Sequence, residues 1–462
     1  MKFSVGEMKG FYFQAIRIGI VSIALFGLSG TGFSQKSTTN RDTVMLKDAT
    51  LDQLIKYALD NRPEIKQAKI DERIGEKDIQ SAMSGWMPQI GLSAAYTYNI
   101  KLQENPLTVN GQTNFITMGQ RNNSSLVLQA DQQILNAGLI QASKSIKYYR
   151  KQYDENTEAK SITTVVQVSK AYYDILMSQE QLNIITQNIA RIEKQYNDAK
   201  ALYESGMADK TDFQRAQISL SNSKADLKRT QELLNYKYAY LKVLLGYEPT
   251  KELTISYDIS ALEKDVYLSD SDNLNVENRV EYRQLETQKK LQKINVLYNK
   301  LQFMPTLSGV VNYNLVFNRN DFASLYNQSY PSSAAGLRLS LPIFTGVKRI
   351  HQIRKAEMIE EKIDLDLENI KNQINSQYIL AIASYRANLN DFEIAKENME
   401  LSLEVYNTIK DQYDAGVKSY LELMTSETDL KMAQLNYLNT LYNVHAAKLD
   451  VKQALGKISI SK

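Results

Sequence analysis

The sequence predicts an exported α + β membrane protein in which one unit, helix, strand hairpin and long helix hairpin, is written twice. Three observations carry this. The N-terminus has the layout of an export signal, four segments alternate apolar and polar residues, and a set of landmarks recurs after about 210 residues.

Composition narrows the function classes first. The 462 residues carry 55 basic and 52 acidic side chains, interspersed, for a formal net charge of +3. That balance offers no basic stripe for nucleic acid. There is no Cys, so thiolate chemistry, disulfides and lipidation of a mature N-terminal Cys are excluded. His351 and His445 are the two histidines, and a His-based metal site would need both of them plus carboxylates, so none is expected. No phosphate-binding glycine loop or nucleophile motif is present, so neither an enzyme nor a cofactor is expected.

Residues 1–34 read as a signal peptide. Lys2, Lys9 and Arg17 precede the apolar run IGIVSIALFGL at 18–28, and the small residues Gly32 and Ser34 offer a cleavage site before Gln35. Residues 35–46 form a leader. The first repeat spans 47–246 and opens on Thr50 and Gln53, spaced as a capping box. A linker, 247–275, reads as polar and irregular; the second repeat spans 276–456, and 457–462 is a tail. The repeats share NRPE at 61–64 and NRVE at 278–281, Met87-Pro88 and Met304-Pro305, and Leu245-Gly246 and Leu455-Gly456. They also share a turn, with Tyr203 or Tyr413 three residues before Gly206 or Gly416, and Asp212 or Glu422 six residues after it.

Strands are expected at about 89–102, 124–134, 306–317 and 333–344. In the first, Ile90, Leu92, Ala94, Tyr96, Tyr98, Ile100 and Leu102 alternate with Gln89, Ser93, Thr97, Asn99 and Lys101. Asp131 and Arg338 take polar positions in the second and fourth. One apolar and one polar face suit a transmembrane β-barrel with a wet lumen, lined by Gln89, Ser93, Thr97, Asn99, Asp131 and Arg338. Trp86, just before Pro88, sits where an interfacial ring would lie. Four strands cannot close a barrel in lipid, so the chain must pool strands with copies of itself. Two chains give eight strands and three give twelve; periodicity does not choose between them.

The helices carry coiled-coil seams. Leu182, Ile185, Ile189, Ile192, Tyr196, Ala199 and Tyr203 step by three and four. Leu423, Leu430, Tyr437, Val444 and Val451 repeat every seven, beside a second stripe through Leu421, Met424, Leu435, Leu438, Tyr442 and Leu449. Two seams on one helix mean neighbours on both flanks. His445 lies among them and reads as a packed polar residue.

In this order and duplicated, these motifs resemble the TolC-like outer-membrane efflux proteins over roughly residues 44–456. The resemblance implies a homotrimer whose twelve-stranded β-barrel in outer-membrane lipid continues as an α-helical coiled-coil tunnel through the periplasm. It implies a passive exit duct for efflux or type I secretion, docked to a periplasmic adaptor and an inner-membrane pump of RND or ABC type. Gly206, Met207, Gly416 and Val417 then mark the adaptor-docking tips. Tyr413 and Lys418 would latch onto Thr211 and Asp212 as a periplasmic gate, and Glu422 would form an acidic ring at the entrance. Thr425 stands where a second acidic residue is expected. The competing class, an exported coiled-coil adaptor or scaffold without a pore, does not account for the duplicated strands.

Overall fold

The computed structural model describes residues 46–460, apart from 110, 208, 257 and 269–272. The expected signal peptide and nearly all of the leader lie outside the described residues.

The first half begins with α1 (Leu51–Asn61), whose Thr50–Gln53 capping box is fully formed. Helix α2 (Pro63–Met83) starts on a proline, which needs no N–H there, and a 3-10 turn (Ser84–Trp86) leads to the sheet. Strand β1 (Gln89–Tyr98), a ribbon of β2 (Gln103–Val109) and β3 (Gln112–Met118), and β4 (Asn122–Leu135) follow. Helix α3 (Ala137–Glu204) has 68 residues, about 100 Å at 1.5 Å per residue, and returns as α4 (Lys210–Leu245). After a short α5 (Ile259–Lys264), the same order recurs: α6 (Val280–Leu301), β5 (Thr306–Arg319), β6 (Tyr330–Ser340), α7 (Lys348–Asp414) and α8 (Tyr420–Ala454).

Strands β1, β4, β5 and β6 pair in that order as one antiparallel sheet. Pro88 and Pro305, which cannot donate to a ladder, stand just outside the first residues of β1 and β5. The structure shortens two expected strands. Strand β1 stops at Tyr98 because Asn99 turns back, its N–H bonding the Arg121 carbonyl at 2.7 Å and its side chain the Gln120 carbonyl at 2.8 Å. Asn99 therefore closes the hairpin base instead of lining the polar face. Strand β6 stops at Ser340, before Pro342. The β2–β3 ribbon was not expected from period-two patterning.

The helices pack as the seams predict. Ile185, Ile189 and Ile192 of α3 bury against Leu220 of α4, while Leu423 and Leu430 of α8 bury against Tyr406 of α7. Of the second stripe, Leu438 and Leu449 are buried, but Leu421 is exposed. The linker is more tightly held than its polarity suggests. Tyr247, Leu253, Ile255 and Val266 enter the main core, and Ala49 bridges Ile255. Tyr385 clamps the strap by donating to the Val266 carbonyl at 2.9 Å and accepting from Leu268 N–H at 3.0 Å.

The repeated motifs meet in space. Gly246 and Gly456 end their helices in the left-handed region, at φ of 65° and 67°. A Cβ on either would lie 2.8 Å from a backbone carbonyl oxygen, that of Asn61 or of Asn278. Next to these asparagines, Arg62 binds Glu64 at 2.9 Å and Gln167 at 2.8 Å. Arg279 correspondingly binds Glu281 at 3.0 Å and Gln377 at 3.1 Å. Each Leu-Gly ending is thus pressed onto the start of its own repeat.

Gly246→Ala and Gly456→Ala should therefore destabilise the fold by about 2 kcal/mol or more, because backbone strain and a backbone clash add. Gly206→Ala, at φ 75° with open space around it, should cost only about 1 kcal/mol. Thermal melting in detergent separates the two cases. Equal shifts would show that the Asn61 and Asn278 contacts do not constrain these glycines.

Candidate functional site

Two regions concentrate functional side chains: the faces of the sheet and the far ends of the helix hairpins. The register puts Ile90, Leu92, Ala94 and Tyr96 of β1 beside Ala130, Leu128, Leu126 and Ser124 of β4. The same face continues through Val311, Tyr313 and Leu315 to Ala335, Leu337 and Leu339. The other face holds Gln89, Ser93 and Thr97 opposite Asp131, Val127 and Asn123, then Asn312 and Asn314, then Ser332 and Arg338. Register thus brings five of the six expected lumen residues to one face; Asn99 falls beyond the strand. Asp131 accepts from Gln129 at 2.7 Å. Trp86 lies at the joint between sheet and helices, its indole N–H donating to Ser143 of α3 at 3.1 Å.

The two tips are built alike. Gly206 and Gly416, at φ of 75° and 76°, let Met207 N–H reach the Leu202 carbonyl at 2.9 Å and Val417 N–H the Gln412 carbonyl at 2.8 Å. These bonds satisfy the last carbonyls of α3 and α7 and push Met207 and Val417 outward, 75% and 72% exposed. The returning helices are capped by Asp209, which accepts from Thr211 N–H, and by Ser419, which forms a capping box with Glu422.

The charged tip residues are satisfied locally within the chain. Lys418 Nζ lies 2.6 Å from Glu422 Oε1, and this ion pair, with the Ser419 bonds, holds the Glu422 carboxyl down at about 2. The residue expected to latch is thus paired with the residue expected to form the ring. Asp212 lies 3.8 Å from Arg215. Tyr413 is half-buried against Tyr420, at 6.2 Å between ring centroids. Burial, then the charges of Asp198, Asp212 and Asp414, push its hydroxyl pKa up.

The family model described as outer membrane efflux protein matches residues 54–247 and 277–457, the two repeats without the linker. The chain belongs to this family. It is 21% identical to the outer membrane protein TolC of Vibrio cholerae over 424 residues, covering 88% of this chain and 91% of that protein. Its fold matches CusC, a protein described by its transmembrane channel formation, with a TM-score of 0.73 at 17% identity over 92% of this chain and 95% of that one. It also matches the open state of the MtrE outer membrane channel of Neisseria gonorrhoeae, at 0.69 and 16% identity over 88% of each chain. The protein is therefore a TolC-like outer-membrane efflux protein, with its helical tunnel in the periplasm. No helix among the described residues is long and apolar enough to cross a membrane.

His445 is packed in the periplasmic core of this efflux protein. Its Nε2 lies 3.0 Å from the Leu262 carbonyl and its ring 4.8 Å from that of Tyr173. Burial lowers its pKa from the usual 6.5 to about 4. The unfolded chain thus takes up a proton as pH falls through about 6.5, while the folded chain waits until about 4. This contribution is complete above the upper value and lost between the two. His445→Gln should remove on the order of a few kcal/mol of that acid sensitivity. Melting temperature against pH from 7 to 4.5 checks it, and equal slopes for both proteins would contradict it.

Proposed function

We propose that this protein is a homotrimeric exit duct, without catalysis or cofactor, that carries cargo across the outer membrane for an inner-membrane pump. The observation that carries this is the sheet. Its apolar face is continuous across four strands, and β1 and β6 each have only one neighbour in it. In hydrocarbon an unpaired edge leaves several backbone groups without partners, each costing several kcal/mol. Three copies, pairing β1 of one with β6 of the next, remove every edge and give twelve strands around a lumen lined by Gln89, Ser93, Thr97, Asp131 and Arg338. Trp86, at the joint, is then the interfacial anchor.

The helices continue the barrel as a tunnel. Exposed apolar residues run along α4 (Leu233, Tyr236, Tyr240, Val243) and α7 (Leu380, Ile394, Leu401), where adjacent protomers would meet. At the narrow end, Met207 and Val417 are the knobs for a periplasmic adaptor, which joins the duct to an RND- or ABC-type pump. Tyr413 and Lys418 take part in the gate with Thr211 and Asp212 of a neighbouring hairpin. Lys418 must trade Glu422 for that partner, so Glu422 acts as an acidic ring only when Lys418 has let go.

Native mass measurement of the detergent-solubilised protein, with conductance in planar bilayers, tests this reading. Three chains and a channel are expected. One or two chains, or a trimer that never conducts, would overturn it.

A further inference from the structure

The four helix segments that abut the sheet, 79–86, 137–153, 287–303 and 348–356, hold twelve basic residues and no acidic one. The chain as a whole is nearly balanced, at 55 basic and 52 acidic side chains, so the segregation is local. Acidic residues from outside these segments, or beyond their first turns, answer five of the twelve, among them Arg150 by Glu76 at 2.7 Å and Lys300 by Glu357 at 2.9 Å. Arg349 lies 5.5 Å over the Phe303 ring. Lys144, Lys147, Lys290, Lys348, Arg354 and Lys355 are exposed and make no ion pair among the described residues. Cations near the starts of α3 and α7 oppose the helix dipole, and crowded together they repel one another. Both effects weigh against the folded chain taken alone.

Geometry places part of this belt on the side of the helices that continues the apolar face. The Trp86 carbonyl accepts from Gln132 at 2.6 Å, and Gln132 shares the apolar face of β4 with Leu128 and Ala130. The Trp86 indole is held by Ser143 of α3. Ser143, Lys147 and Arg150 follow at spacings of four and three, so Lys147 lies on the Trp86 side of α3, with Lys144 one turn nearer the sheet. The 210-residue shift that takes Gln167 to Gln377 takes Lys144 to Arg354. Phe303 stands just before Met304-Pro305, as Trp86 stands before Met87-Pro88. Each repeat thus sets exposed cations beneath an aromatic ring at the rim of the sheet.

We infer that this belt binds the anionic headgroups of phospholipids on the periplasmic side of the bilayer, with Lys144 and Lys147 below Trp86, and Arg354 below Phe303, as its contacts. This rests on the exit-duct reading, which puts the apolar face in lipid. Side chains on a helix lean toward its N-terminus, which for α3 and α7 is the sheet end. Lys144 and Lys147 start about 10 and 15 Å below the first residue of α3, and their apolar stems carry the ammonium groups up toward the headgroups. A negatively charged lipid surface there pairs the idle cations and screens their mutual repulsion, which a zwitterionic surface does only weakly. Continuity with the apolar face and its aromatic rim selects a lipid over free phosphate, because ring and acyl chain meet when headgroup and cation do.

Trp86 fluorescence reads the belt directly, since the chain has one Trp. The full-length protein is placed in vesicles of equal parts phosphatidylglycerol and phosphatidylcholine, with quenching bromines on the acyl chains of one lipid at a time. Phosphatidylglycerol should be preferred beside Trp86 by about fivefold or more, and about 0.5 M salt should cut the preference below about twofold. Lys144→Gln with Lys147→Gln should cut it equally at low salt, whereas Lys144→Arg with Lys147→Arg should keep it. Lys194→Gln, an exposed position on the same helix far from the sheet, should leave it unchanged. Should the double Gln variant fail to insert, the salt titration of the wild type decides. Inorganic phosphate at fixed ionic strength should not compete. If neither brominated lipid quenches Trp86, the rim is not in lipid and the exit-duct reading falls with the belt. If both lipids quench the wild type equally, or inorganic phosphate abolishes the preference, the lipid belt is wrong while the duct stands.

Discussion

Everything in this protein follows from the two open edges of a four-stranded sheet. Strands β1 and β6 each present a row of backbone groups with no strand partner among the described residues. In water such edges invite aggregation, and in lipid they are forbidden. The sheet's continuous apolar face makes lipid its natural solvent. On the proposed exit-duct reading the chain is complete only as part of a ring, and the ring then sets where the helices go. Each strand pair leads into one long helix that returns as a second, so a barrel closed in the proposed way would also close a cylinder of coiled coils below it. Two seams on α8, one toward α7 and one toward α3 and α4, are the sequence-level mark of a helix with neighbours on both sides.

The same geometry separates a tightly knit core from more loosely held hairpin tips. The main core is knitted by the linker strap, by Tyr385 on its backbone, and by Gly246 and Gly456 pressed onto Asn61 and Asn278. Toward the tips, apolar burial thins to small clusters, and polar contacts between the hairpins take over. Few buried apolar contacts and a handful of specific polar ones describe a region of low local stability. The proposed entrance gate requires such a region.

Much of this was legible in the sequence, because period-two strands and heptad seams are direct imprints of what each side chain faces. The polar face ran through Gln89, Ser93, Thr97, Asp131 and Arg338, and register alone brought these together. The features that stayed hidden have physical causes. The β2–β3 ribbon mixes polar and apolar residues on both faces, so alternation could not reveal it. Its signal was the Asn-Gly pair at 110–111, with Gly111 at φ 80°. Within the chain Lys418 pairs with Glu422, which the Ser419–Glu422 capping box fixes one turn away, a local contact that the motif spacing did not reveal. The strap anchors Leu253, Ile255 and Val266 are isolated apolar residues, without a period to expose them. The contacts between hairpins pair residues hundreds of positions apart, and no local pattern encodes such a pairing.

Amide hydrogen exchange of the assembled protein, read strand by strand, tests the closed ring most directly. The informative amides are those of β1 and β6 that point away from β4 and β5. If three copies close a barrel, these amides should exchange as slowly as those at the centre of β4 and β5, while the free β2–β3 ribbon exchanges fast. If the outward amides of β1 and β6 exchange as fast as the ribbon, the edges are open, and the account of this chain as one third of a barrel is wrong.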